Sequence, residues 1–197
     1  MIKKFILDLV RFQEIVPLKT LTVIGAEDPA VATSWNQLIG KTLNAKFGCP
    51  WMTPMLNCSS CDDDDNNYQY VENPNTKGGN NSNNDKYTLV ASKKMVGVFI
   101  SVWMREEVLR KHCVSNVRVC SVACGVMGYL GNKGSVAVSM SIEGTSFCFV
   151  AAHLASGEKK GDEGRRNHQV AEIFRRTSFS RTTKDHHHFP LTILGHE

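Results

Sequence analysis

Glu14 stands directly behind an apolar run of Phe5, Ile6, Leu7, Leu9 and Val10 that reads as a strand, so Phe12-Gln-Glu-Ile-Val-Pro-Leu18 places one carboxylate at a strand end. A carboxylate there suits Mg²⁺, which keeps several waters and takes only one or two protein oxygens beside substrate phosphate. A solvated or ion-paired Glu explains the same position. Gly131-Asn-Lys-Gly134 offers backbone amides and one cation, chemistry fitted to a phosphate. It is not a Walker A loop, because Lys133 is followed by Gly134 rather than Ser or Thr and no helix pattern follows. A tight turn opening a strand also accounts for it. His153 ends a strand in phase with Phe147, Phe149 and Ala151 and leads into a polar loop at 156–164. Strand ends carry sites, although a histidine in such a place also serves as a hydrogen-bonded core residue. Arg165-Arg-Asn167 sets two guanidinium groups and an amide near a helix start, where they either donate to an anionic substrate or meet solvent.

Other reactive-looking residues do not assemble. Cys58-Ser-Ser-Cys61 has no second cysteine pair at zinc-site spacing. A calcium loop counted from Asp62 would need Gly where Asn67 stands and Glu where Asn73 stands. Adjacent side chains of His186-His-His188 alternate sides in extended chain and do not converge on one ion.

The elements that must position these groups follow from periodicity. Residues 28–46 carry Val31, Trp35, Leu38, Ile39 and Leu43 at three- and four-residue spacing, an amphipathic helix with Asp28 as N-cap and Pro29 at its first position. Residues 58–86 turn to Asp, Asn, Gly and Ser, too polar to repay ordering, and read as a flexible insertion. Strands are expected at 87–92, 95–104 and 117–124, with a charged helical turn at 105–111 between the last two. Val136, Val138, Met140 and Ile142 alternate with small residues, Glu143-Gly-Thr turns the chain, and 146–154 returns as the second arm of a hairpin. Both faces of that arm are apolar, which places the sheet between two layers. From Arg165 a helix buries Val170, Ala171, Ile173 and Phe174 and leaves Arg166, Gln169, Glu172 and Arg175 outside, and a last strand is expected at 191–194.

The 197 residues, 42% hydrophobic and 21% charged, allow one packed domain or part of a larger one. A net charge of +4 argues against wholesale coating of nucleic acid. The best apolar run, 95–104, is about half of a membrane span. Asp8 and Arg11 interrupt the apolar start, so it reads as mature sequence rather than a signal peptide. Seven cysteines, with Cys113, Cys120, Cys124 and Cys148 in apolar surroundings, fit reduced thiols in a cytoplasmic compartment.

Taken in order, these segments resemble the inositol polyphosphate 5-phosphatases, and the plant type I branch in particular. The likeness rests on Phe12-Gln-Glu-Ile-Val-Pro-Leu18, Leu89-Val-Ala-Ser-Lys-Lys-Met-Val-Gly-Val-Phe99, Gly128-Tyr-Leu-Gly-Asn-Lys-Gly-Ser-Val-Ala-Val-Ser-Met140, and Ser146-Phe-Cys-Phe-Val-Ala-Ala-His-Leu-Ala-Ser-Gly-Glu158 leading to Arg165-Arg-Asn167. It implies an α+β fold of the endonuclease/exonuclease/phosphatase kind, two mainly antiparallel sheets flanked by helices, here as one partial catalytic domain over 1–197. It further implies Glu14 as a metal ligand, His153 at the scissile phosphate, and Asn132, Lys133, Arg165, Arg166 and Asn167 on the substrate side. The implied reaction is Mg²⁺-dependent hydrolysis of the 5-phosphate of inositol polyphosphates or phosphoinositides, with water attacking in line.

Departures from the family pattern shape the expectation. The family's opening strand with Thr-Trp-Asn has no counterpart, and Leu191-Thr-Ile-Leu-Gly-His-Glu197 reads as the run-in to a Gly-Asp-x-Asn-Tyr-Arg motif that does not follow. The later Pro-Ala-Trp-Cys-Asp-Arg and Ser-Asp-His segments have no counterpart either. The expectation is therefore a phosphatase domain of weak or no activity as this chain, with a non-catalytic phosphoinositide-binding fragment as the alternative and a nuclease of the same superfamily behind both. Its expected partners are inositol phosphates or phosphoinositide headgroups, with transient peripheral contact at membranes and no nucleic acid.

Overall fold

Alternating side chains set the strands, and their pairing sets the layers. The computed structural model describes residues 7–16, 29–45, 86–112, 114–181 and 189–196. The insertion except for Lys86, the Cys58–Cys61 pair, the acidic run from Asp62, Asp28, Cys113 and the His186–His188 run lie outside these residues.

Strand β1 (Leu7–Phe12) pairs antiparallel with β3 (Val98–Arg105), which pairs antiparallel with β2 (Tyr87–Met95), giving a sheet of order β1-β3-β2. The central strand is buried on both faces, with Phe99, Ile100, Val102, Trp103 and Met104 all withdrawn from solvent. A second sheet has the order β4-β5-β6, from β4 (Val114–Ala123), β5 (Gly134–Ile142) and β6 (Thr145–His153), again antiparallel throughout. Glu143 and Gly144 join β5 to β6 with φ of 51° and 84°, the left-handed pair that a tight two-residue hairpin requires.

The two sheets face each other across one core. Ala91, Met95, Val98, Ile100, Val102 and Met104 of the first meet Val136, Val138, Met140, Ile142 and Ala151 of the second. Helix α1 (Pro29–Asn44) covers the other face of the first sheet, where Ile39 and Trp35 join Leu89, Phe99 and Trp103. Its buried Asn36 donates to Ser92 Oγ and accepts from Ser101 Oγ, so both ends of this amide are satisfied. Helix α2 (Glu106–Lys111) links β3 to β4, and α3 (Asp162–Arg176) lies against the outer face of the second sheet through Ile173, Val122 and Cys124.

The structure changes three sequence-based boundaries. The first hairpin does not break at Lys93 and Lys94: both stay in the ladder, opposite Ile100 and Phe99, and the chain turns at Val96-Gly97. Residues 191–194 form no strand; Ile193–Gly195 is a 3₁₀ turn. The Gly195 and His196 amides bond back to Thr192 and Ile193, so local partners satisfy the backbone that a ladder would otherwise pair. Helix α3 begins earlier than expected, at Asp162, and its buried face is rotated: Gln169 and Ile173 are buried while Phe174 is 40% exposed and Ala171 is exposed.

Cys120, Cys124 and Cys148 carry free thiols. Burial and the neighbouring Cys120 push the Cys148 thiol up to about 11, and burial raises that of Cys124. Among the described residues no helix is long and apolar enough to cross a membrane.

Candidate active site

One rim of the sandwich collects the ends of β1 and β6 and the turn before β5. At the end of β1, Phe12 packs on Trp35 and Phe99, with ring centroids 4.6 Å and 6.2 Å away. Gln13 then reaches across to the second sheet, its Nε2 donating to the carbonyl of Ala152 at 2.8 Å. The Ile15 amide donates to Gly97 in the first hairpin turn at 3.1 Å. Glu14, between these anchors, has φ of 57° and a side chain 58% exposed.

The register of the second sheet sets the other half. His153, the last residue of β6, lies opposite Gly134, the first of β5. Gly134 has φ of 138°, and a Cβ there would come within 2.0 Å of the Val122 carbonyl, so only glycine allows the chain to enter β5 this close to β4. Gly131 packs against the first hairpin in the same manner, since a Cβ there would lie 2.7 Å from Val96 Cγ2. The Gly-Asn-Lys-Gly turn is thereby held between hairpin and sheet. Its Asn132 side-chain oxygen is buried with no hydrogen-bond partner.

Lys133 Nζ lies 2.6 Å from His153 Nε2, and Glu14 Oε1 is 3.5 Å from the same nitrogen. Burial lowers the imidazole's affinity for a proton, the Lys133 charge lowers it further, and Glu14 opposes both. His153 is therefore held below the ordinary histidine range. A neutral ring accepts from the Lys133 ammonium at Nε2 and carries its proton on Nδ1, which is buried without a partner. The shorter contact is the hydrogen bond; Glu14 acts on the ring through its charge.

Glu14, Lys133 and His153 thus come together from three separate segments. Arg165, Arg166 and Asn167 stand apart from them: Arg166 donates to the Gly157 carbonyl at 2.7 Å, Arg165 is 66% exposed and 3.8 Å from Asp162, and Asn167 is exposed. All three sit inside the first turns of α3, which begins three residues before Arg165. Sequence reading passed over Gln13, visible only as the neighbour of Glu14, and it placed Gln169 on the solvent side.

Among the described residues no group of three or more His, Cys, Asp or Glu side chains gathers to hold a metal ion. The donor set is a single exposed carboxylate, with Lys133 occupying the imidazole nitrogen beside it. A single carboxylate fits one protein ligand to a hydrated, oxygen-seeking dication.

Residues 4–195 match Endonuclease/Exonuclease/phosphatase family 2. The chain is 45% identical over 188 residues to type I inositol polyphosphate 5-phosphatase 8 of Arabidopsis thaliana, covering 94% of this chain and 38% of that protein. It is 39% identical over 186 residues to type IV inositol polyphosphate 5-phosphatase 9 of the same plant, covering 94% and 39%. In three dimensions it resembles the inositol polyphosphate 5-phosphatase domain of SPsynaptojanin, solved with inositol (1,4)-bisphosphate and calcium ion, with a TM-score of 0.59, 26% identity, and coverage of 89% of this chain and 38% of that one. The chain spans less than two-fifths of the length of these relatives. With the family's pattern running through nearly all of its residues, and a 5-phosphatase domain sharing its two-sheet fold, the chain belongs to Endonuclease/Exonuclease/phosphatase family 2.

Proposed function

We propose that this chain carries part of a Mg²⁺-dependent phosphatase site that removes the 5-phosphate of inositol polyphosphates or phosphoinositides. The observation that carries the reading is the convergence of Glu14, Lys133 and His153 within hydrogen-bonding or ion-pairing reach on one rim. In this reading Glu14 is one ligand to Mg²⁺, and the bound ion supplies positive charge to phosphoryl oxygens. The ammonium of Lys133 and the amide of Asn132 bind phosphate oxygens, with charge-assisted bonds from lysine the stronger contribution. His153, neutral at the strand end, orients Lys133 by accepting from it and stands at the scissile phosphate. Arg165, Arg166 and Asn167 lie on the substrate side in this reading. The names of the relatives, and the inositol bisphosphate bound to one of them, support this substrate class.

Free, largely withdrawn thiols support a reducing, cytoplasmic setting. A net charge of +4 supports transient, local contact with membrane headgroups over tight anchoring. A second reading, headgroup binding without turnover, is favoured by one observation: no carboxylate cluster accompanies Glu14 among the described residues.

The test is phosphate release from inositol 1,4,5-trisphosphate and from the matching phosphoinositide, with Mg²⁺ and with chelator, for wild type, Glu14→Gln and His153→Ala. Metal-dependent release abolished in both variants is the expected result. A folded chain that binds headgroup and releases nothing above background replaces catalysis with the second reading.

A further inference from the structure

Helix α3 carries a buried amide that none of the proposed chemistry uses. Gln169 is 7% exposed, and both ends of its side chain are engaged. Its Nε2 donates to the Cys124 carbonyl at 2.8 Å, and its Oε1 accepts from the Ala155 amide at 2.7 Å. A side-chain amide does both at once; a carboxylate or a hydrocarbon of the same size does not.

Both of these partners lead into the candidate site. The Cys124 amide donates to the carbonyl of Lys133 at 2.7 Å, and Ala155 lies two residues beyond His153. Lys133 Nζ meets His153 Nε2 at 2.6 Å. The contacts close a ring that runs from Gln169 to Cys124, Lys133, His153, Ala155 and back to Gln169. The β5–β6 ladder ends at the Gly134–His153 pair, so beyond it that ladder does not tie the Lys133 turn to the chain after His153. Arg176, two turns along the helix, grips the same loop by donating to the carbonyls of Ala123 and Gly128 at 2.8 and 3.0 Å, but it has no bond to the His153 side.

We propose that Gln169 is a positioning residue, clamping the Lys133 turn and the end of β6 at a fixed separation so that the ammonium and the imidazole stay in contact. Its kinetic consequence rests on the phosphatase reading of that pair, while its effect on the contact does not.

The experiment uses Gln169→Met, which keeps the volume and loses both bonds, and Gln169→Glu at mildly alkaline pH, which keeps the acceptor for Ala155 and loses the donor to Cys124. The first readout is the NMR signal of the His153 ring nitrogens and Cε1 in ligand-free protein. Lys133→Met supplies the reference position for a broken contact, and cooperative unfolding shows that each variant is folded. Gln169→Met is expected to move the His153 signals toward that reference, with Gln169→Glu between it and wild type. The second readout is steady-state phosphate release, where a misplaced pair lowers kcat by about tenfold or more with KM little changed. His153 signals at their wild-type positions in folded Gln169→Met overturn the clamp; if that variant does not fold, wild-type signals in Gln169→Glu overturn it. An inactive wild type removes the phosphatase reading and leaves the NMR result to decide the role of Gln169.

Discussion

The contact between Lys133 and His153 depends on a glycine that makes no bond to either side chain. Gly134 pairs with His153 and approaches the Val122 carbonyl so closely that a single methyl group has no room. The obstruction is backbone, which no side-chain rotation relieves. Gly144 provides the control, since it too has a left-handed φ, of 84°, but nothing lies within 4 Å of its missing Cβ. Gly144→Ala is expected to cost about 1–2 kcal/mol, the conformational penalty alone. Gly134→Ala adds the clash and is expected to cost clearly more, and to shift the Lys133 and His153 resonances as β5 moves from β4. Chemical denaturation of both variants measures the difference, and equal costs would contradict the close approach. At this scale the sequence was partly legible. Glu14, Lys133 and His153 each have an ordinary structural reading at a strand end or turn, and what singles them out is the family resemblance of the motifs that contain them. Gln13 and Gln169 do not, because an amide bonded to backbone leaves no mark of its type or spacing.

Helix α3 shows how an element is found while its face is missed. Val170, Ala171, Ile173 and Phe174 have the spacing of a buried stripe, yet the chain turns Gln169 and Ile173 inward and leaves Phe174 partly outside. The reason is polar. Cys124 O and Ala155 N–H sit beneath the helix without ladder partners, and an unsatisfied buried backbone group costs more than a half-exposed phenyl ring. Hydrophobic periodicity cannot register such a demand, since it arises from loops distant in sequence. The strands of the second sheet were legible for the converse reason: in β5 every residue is buried, and a small-large alternation fills both layers. The consequence for stability is specific. Met140→Ala, on the face between the sheets and fully buried, is expected to cost about 2–5 kcal/mol. Phe174→Ala is expected to cost about 1 kcal/mol or less, despite the larger side chain removed. Thermal or denaturant unfolding of the pair checks the order, and a larger loss at Phe174 would restore the face read from periodicity.

Across the whole molecule, a layered architecture was legible because strands apolar on both faces need a layer on each side, whereas the pair of sheets entered through the family resemblance. The strand order was not. β1 pairs with β3 across more of the chain than β2 does, and nothing in either sequence names the partner. What joins the halves at the rim is again backbone recognition, Gln13 to Ala152. The second sheet also carries a charge liability that extends to global stability. Cys120 on β4 and Cys148 on β6 flank β5, and burial together with Cys120 raises the Cys148 thiol from 9.0 to about 11. Below pH 9 both folded and unfolded chains hold this proton, so the thiol contributes no pH dependence. Between 9 and about 11 the unfolded chain releases it first, the folded chain then binds more protons, and stability falls as pH rises. Above that window the loss is constant. Cys148→Ala removes the group, so the difference in unfolding free energy between wild type and variant is expected to be flat up to pH 9 and to move in favour of the variant from there to about 11. Denaturation of the two proteins across this range measures it. A difference that stays flat throughout would mean that the thiol reaches solvent in the folded sheet and that burial does not hold its proton.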